Sequence, residues 1–301
     1  MSEHKTIWGW GGLLAVLLLA GGRAVAETTP LEGSWEGSIL VQPGTYEVDL
    51  RLDVEGGGVQ QPRVYVTFPT RNVSRYPVSD LVVDGDTVRF TYRDERGDSW
   101  FCGRLSADGR EISGEFARAD QSWPSRLVRR ELGPDPVPEV RMLTDDGREL
   151  VDLFQARRGA PRILLILSPG WNQSRVGARL ILRYVLQRIP DPALSVFVVW
   201  EPRLPEDDRQ YARDVAGLLP DPRVTQFWSE TRFAGRAFET QAGYEAGPAS
   251  NVYLLFPPDA EWLANKAPTA SLVMHNEDDF PPLSKLQAEF FGSAVREQFR
   301  K

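Results

Sequence analysis

From residue 31 to residue 131, apolar and polar residues take turns along short runs, and each run ends in a glycine turn. A period of two belongs to strands with one face buried, and few architectures accommodate about a hundred residues of it. Tyr46, Val48, Leu50, Leu52 and Val54 alternate with Glu47, Asp49, Arg51 and Asp53. Val88, Phe90 and Tyr92 alternate with Arg89, Thr91 and Arg93, while Val64-Val66-Phe68 and Ile112-Gly114-Phe116 supply further inward faces. Gly56-Gly57-Gly58, Asp84-Gly85, Arg96-Gly97 and Asp108-Gly109 are hairpin signals. Eight strands are expected, near 34–41, 45–54, 62–69, 76–83, 86–93, 98–105, 110–117 and 125–130. Strands this short and this consecutive favour a closed, eight-stranded up-and-down barrel over 31–132, which leaves no unpaired edge.

After the Pro-rich stretch 133–138, a stiff linker, the period changes. Residues 141–153, turning at Asp145-Asp146-Gly147, read as a hairpin, and 163–167 is a continuous apolar run of the kind a central strand shows. Helices are expected over 175–189, 209–218, 233–241 and 283–299, and strands over 194–200, 224–228, 252–256 and 271–275. The second domain, 139–301, is therefore α/β. Its order is that of a thioredoxin core with one strand-helix insertion.

The N-terminus predicts export. An apolar run at 13–20, too short for a comfortable membrane span, precedes Ala24-Val25-Ala26, so 1–26 reads as a signal peptide cleaved after Ala26. Without it the chain carries 33 basic and 41 acidic residues, which argues against nucleic acid or an anionic membrane as partner. All but four of the basic residues are arginines, a bias of GC-rich genomes, and a bacterial periplasmic or secreted protein is expected. Cys102 is the sole cysteine, so no intramolecular disulfide forms. Beyond the signal peptide His275 is the sole histidine, which removes most hydrolase and zinc-site designs.

The chain carries two resemblances. Gly33-Ser34-Trp35 resembles the Gly-x-Trp opening of lipocalin-like barrels. With Glu36-Gly37, Pro77-Val78-Ser79, Phe101-Cys102-Gly103, Asp108-Gly109 and Ile112-Ser113-Gly114, the domain is similar to a small barrel found ahead of secreted hydrolase domains. Residues 164–262 resemble a group of exported thioredoxin-like proteins. The resemblance rests on Val199-Trp200-Glu201-Pro202, Asp207-Asp208-Arg209, Asp221-Pro222-Arg223-Val224, Phe227-Trp228, Gly235-Arg236, Val252-Tyr253 and Pro258-Asp259-Ala260-Glu261-Trp262. That resemblance implies a C-x-x-C at the start of the first central helix, where the dipole acidifies one thiol and the second resolves the mixed disulfide. Here Trp171 and Ser174 stand in those positions, and neither side chain exchanges with a disulfide. Gln226 and Ser229 flank Phe227-Trp228 where members of the group carry His and Asp.

The expected function is accordingly an exported, non-catalytic binding or scaffolding protein without a cofactor. Its partner would be another exported protein or a small apolar ligand. The rival reading is a carrier holding an apolar molecule inside the barrel; an enzyme with an unrecognised site stands third. Candidate binding residues are Trp171, Asn172, Gln173, Trp200, Asp207, Arg209 and Trp228. Plainer alternatives exist at the loop: Trp171 packs on the barrel or over the helix end, and Asn172 and Ser174 cap the helix. Cys102 is expected on the barrel's outer face as an inert thiol. His275 with Glu277, Asp278 and Asp279 reads as a solvated turn, not a metal site.

Overall fold

The computed structural model describes residues 31–56, 62–71, 73–94, 97–130, 138–245, 247–263, 266–277 and 284–300. The signal peptide, nearly all of the linker, and Asp278 and Asp279 lie outside the described residues.

The first unit is one antiparallel sheet of nine strands: β1 (Gly33–Gln42), β2 (Tyr46–Glu55), β3 (Arg63–Phe68), β4 (Val73–Pro77), β5 (Ser79–Asp84), β6 (Thr87–Asp94), β7 (Gly97–Leu105), β8 (Glu111–Arg118) and β9 (Gln121–Arg130). Its order is β4-β3-β2-β1-β9-β8-β7-β6-β5, so the first and last strands of the unit pair and the sheet curls into a nearly closed barrel. The expected strand 76–83 is two strands. Pro77 ends β4, which pairs with β3, and β5 then pairs with β6, with Asp80 at positive φ and a register shift between Ser79 and Val82. A kink lets one stretch of chain serve both margins of the curled sheet.

The interior of the barrel is filled. Trp35, Leu50, Leu52, Val66, Phe68, Val88, Phe90, Tyr92, Phe101, Ile112, Phe116 and Leu127 belong to one buried cluster. Phe90 stacks on Phe101 at 5.0 Å, and Phe68 meets Tyr92 and Phe116 edge-on at 5.1 and 6.3 Å. Gly37 lets β9 come close: a Cβ there would lie 1.7 Å from the Arg126 carbonyl oxygen.

The second unit is a seven-stranded mixed sheet between two helical layers. In chain order it comprises β10 (Val140–Met142), α1 (Arg148–Ala156), β11 (Arg162–Leu167), α2 (Asn172–Ile181), β12 (Ser195–Trp200) and α3 (Arg209–Val215). Next come β13 (Val224–Trp228), α4 (Phe233–Phe238), β14 (Val252–Phe256), β15 (Leu272–His275), β16 (Ser284–Lys285) and α5 (Ala288–Gln298). Strand order is β10-β13-β12-β11-β14-β15-β16, with β10 to β11 mutually parallel, β14 and β15 reversing, and β16 parallel to β15. Alternate residues of β11 feed two cores: Ile163, Leu165 and Leu167 on the α2 and α5 side, Leu164 and Ile166 on the α1 and α4 side.

The hairpin expected at 141–153 is instead a strand and a helix. Gly147 turns at φ +64, the Asp146 carboxylate accepts from the Arg148 amide, and Leu150 and Phe154, four residues apart, bury one helical face. The C-terminal helix starts at Ala288, later than expected, because Ser284 and Lys285 extend the sheet.

The units meet through charge. On β2 the even residues fill the barrel, and Glu47 and Asp49 face outward, yet each is only 2 % exposed. They are covered by α2 and its π-helical continuation Leu182–Leu186. Arg183 pairs with both carboxylates, Arg179 Nε lies 3.1 Å from Asp49, and the Tyr184 hydroxyl donates to Glu47. Ser38 Oγ and the Gly44 amide complete the Glu47 shell at 3.1 and 3.0 Å. Burial pushes the Tyr184 hydroxyl up to about 12, with Glu47 adding to it. Burial alone would lower the Arg183 pKa, but Asp49 and Glu47 together hold it above the ordinary range.

Removing one partner from such a cluster strands the opposite charge. Arg183→Ala is expected to lower stability by about 3 kcal/mol, read from urea unfolding at neutral pH. A loss well below 1 kcal/mol would mean that Arg179 and water suffice for the two carboxylates.

Candidate functional site

The loop Ser168-Pro169-Gly170-Trp171 leads from the carboxyl end of β11 into α2. Proline lacks an amide hydrogen and cannot extend the strand, so the chain leaves the sheet there. Asp207, in the loop after β12, ties down both connections. Its carboxylate accepts from the Ser168 hydroxyl at 2.7 Å, and from the amides of Gly170 at 2.7 Å, Arg203 at 2.8 Å and Leu204 at 2.9 Å. Gly170 has to be small, since a Cβ would lie 2.6 Å from Asp207 Oδ1.

Trp171 takes the N-cap position of α2 and makes no side-chain cap. The capping role expected for Asn172 and Ser174 does not occur: both lie inside the helix, and Ser168 Oγ accepts the Trp171 amide at 3.2 Å. Ser174 Oγ instead accepts from the Ser168 amide at 3.2 Å and donates to Asn251 Oδ1 at 3.3 Å. Asn251, at φ +56 ahead of β14, also receives the Tyr253 hydroxyl at 3.1 Å and donates to the Asn276 carbonyl at 2.6 Å. Asn276 Nδ2 returns to the Gln173 carbonyl at 2.8 Å. The Trp171 ring is half-buried beneath the Arg203 guanidinium, 4.1 Å from its centroid, and Arg203 pairs with Glu277.

Of the expected binding residues, Trp171, Asn172, Gln173 and Asp207 are gathered at this loop. Trp200 and Trp228 lie elsewhere: both are buried in the core, and their indole N–H groups go to Gln226 and Glu230 at 2.8 and 2.9 Å. Gln226 is spent between Trp200 and the Ala216 carbonyl, and Ser229 Oγ accepts the Phe233 amide. Arg209 Nη2 donates to the Val140 carbonyl at 3.0 Å. His275 is buried, not solvated, and its Nδ1 accepts the Glu277 amide at 3.0 Å.

Sequence reasoning missed Arg175. From α2 it donates to the carbonyls of Pro169 and Gly170 at 2.9 and 3.1 Å, to the Tyr211 hydroxyl at 2.9 Å and to the barrel carbonyl of Thr70 at 3.2 Å. The signal was present: Arg175, Arg179 and Arg183 recur every four residues, a charged stripe along one side of the helix.

Glu201, at the end of β12, is a second buried carboxyl. Its oxygens accept the amides of Ala234 at 2.8 Å and Gly235 at 3.1–3.2 Å at the start of α4. Burial pushes its pKa up to about 8, although these amides, Arg232 and Arg236 pull the other way. No protein-family profile and no curated protein matches the chain. Among solved structures, a redesigned β-barrel aligns with 34 % of this chain and 93 % of its own at 15 % identity, with a TM-score of 0.26. A likeness that low lends nothing to the reading of either unit.

A carboxyl whose folded pKa is raised keeps a proton that the unfolded chain has released, so stability falls as pH rises between about 4.5 and about 8. The slope from this one group reaches at most about 1.4 kcal/mol per pH unit. Glu201→Gln should flatten the decline in urea-unfolding free energy between pH 5 and pH 8. An unchanged slope would place the titrating group elsewhere.

Proposed function

We propose that this chain is an exported, non-catalytic binding or scaffolding protein, in which a lipocalin-like barrel is joined to a thioredoxin-like domain that has lost its dithiol. The strand order supports the second half of that reading. A central strand, β11, is followed by a helix; a parallel neighbour, β12, lies on one side, and on the other lies antiparallel β14, to which β15 is antiparallel in turn. Such an order is expected of a thioredoxin-like domain with one strand inserted between β10 and β12. Extracytoplasmic location rests on the sequence of residues 1–26.

The observation that carries the reading is the state of the two dithiol positions. Trp171 is pinned by its amide and its stacked arginine, and the Ser174 hydroxyl is used up between the Ser168 amide and Asn251. Neither supplies a nucleophile, while the partly exposed faces of Trp171, Asn172 and Gln173 remain as a rigid surface. The filled barrel interior supports scaffolding over carriage of an apolar molecule.

The placement is tested by restoring the thiols. In a Cys102→Ser background, Trp171→Cys with Ser174→Cys should oxidise to an intramolecular disulfide under mild oxidant, because the two positions are one helical turn apart. The first thiol should titrate below about 8.5, at a helix N-terminus and near Arg203. The unaltered protein should show no disulfide reductase activity. A folded double variant that stays reduced would sink the thioredoxin-like reading.

A further inference from the structure

The outer face of β6, β7 and β8 carries side chains that neither the barrel core nor the contact between units uses. Cross-strand register sets them in rows: Arg89, Cys102 and Glu115 in one, Thr91, Trp100 and Ala117 in the next, Thr87, Arg104 and Ser113 on the other side. Thr87, Arg89, Trp100, Cys102, Arg104, Ser113 and Glu115, with Gly103 and Gly114, line a concavity of about 430 Å³. Trp100 is 47 % exposed, an unusual state for the largest apolar side chain. Its cross-strand neighbours, Thr91 and Ala117, are small and offer the indole nothing to stack on. Arg104 is engaged by Asp86 at 3.6 Å, whereas Arg89 and Glu115 make no ion pair or hydrogen bond among the described residues. They stand two strands apart, about 10 Å, on either side of Cys102.

We propose that this face binds an extended neutral oligosaccharide, with one pyranose ring stacked on Trp100 and hydroxyls of the chain bonded to Arg89 and Glu115. An exposed indole is an apolar plate that stays wet, and the C–H face of a sugar ring covers it while its hydroxyls remain solvated. A guanidinium offers only donors and a carboxylate only acceptors, and a hydroxyl answers either. The two charges are opposite, so an ionic ligand attracted by one is repelled by the other, and a neutral polar ligand meets both. The chain's net charge of −7 disfavours a nucleic acid. The inference deepens the binding reading but stands on the barrel alone, so its failure leaves the loop at Trp171 untouched.

Calorimetric titration of the mature chain with cellohexaose and with chitohexaose tests it. At least one should bind, and Trp100→Ala should weaken that binding about tenfold or more, as loss of an aromatic anchor does. Glu115→Gln and Arg89→Gln should each weaken it about threefold to tenfold, losing a charge-assisted hydrogen bond. Trp100→Phe should retain most of the affinity, and Phe290→Ala, at an exposed aromatic of the second unit, should leave it unchanged. No heat from either sugar up to about 10 mM, or equal binding by a folded Trp100→Ala variant, overturns the proposal.

Discussion

Glu47 and Asp49 sit on the side of a barrel strand that should face water, and the molecule takes both out of it. Two carboxylates removed from solvent cost several kcal/mol each unless cations and donors replace the lost hydration. Arg183, Arg179, Tyr184, Ser38 and the Gly44 amide are those replacements, and three of them come from the other unit. The contact between Arg179 Nε and Asp49 is one of charge and not of aligned hydrogen bonding, since neither atom has a hydrogen-bond partner. Arg183 therefore carries the geometry. A slip of α2 along β2 would leave a buried charge facing carbon, and this is why the register of the two units is fixed.

That register also positions the loop before α2. The helix that answers the barrel's carboxylates begins at Trp171, and Arg175 in its first turn holds the Pro169 and Gly170 carbonyls while also holding Thr70 of the barrel. Asp207 fixes the same loop from the other side through Ser168 and Gly170, and its own connection through the Arg203 and Leu204 amides. The loop is thus held from both sides, although the Trp171 indole N–H is buried without a partner among the described residues. The oligosaccharide face lies on other strands, β6 to β8, and takes no part in this clamp.

Much of the fold could be read from the period of the sequence. The alternation in β2 and β6, the continuous run of β11, and the bounds of β13 and β14 match the structure, because burial on one face or on two leaves different marks. The reading failed where period and local chemistry disagreed. Leu150 and Phe154 fit a helix, but the Asp145-Asp146-Gly147 turn suggested a hairpin. Trp200 and Trp228, offered as binding residues, lie in the core, because their indole N–H groups are satisfied inside by Gln226 and Glu230.

The sequence by itself determined that no intramolecular disulfide forms, since one cysteine cannot make a pair, and that two patterns of different period share the chain. Only the tertiary structure decided what the outward acids of β2 are for, and which face of α2 meets them. An alternating strand says which residues point away from its own core, but not whether water or another unit waits there. The stripe of Arg175, Arg179 and Arg183 and the pair of Glu47 and Asp49 are more than a hundred residues apart, and each alone reads as a solvated face. Brought together out of water, Arg179 and Arg183 offset the cost of burying Glu47 and Asp49, and stranding either side costs several kcal/mol, a coupling that exists only once the chain has folded.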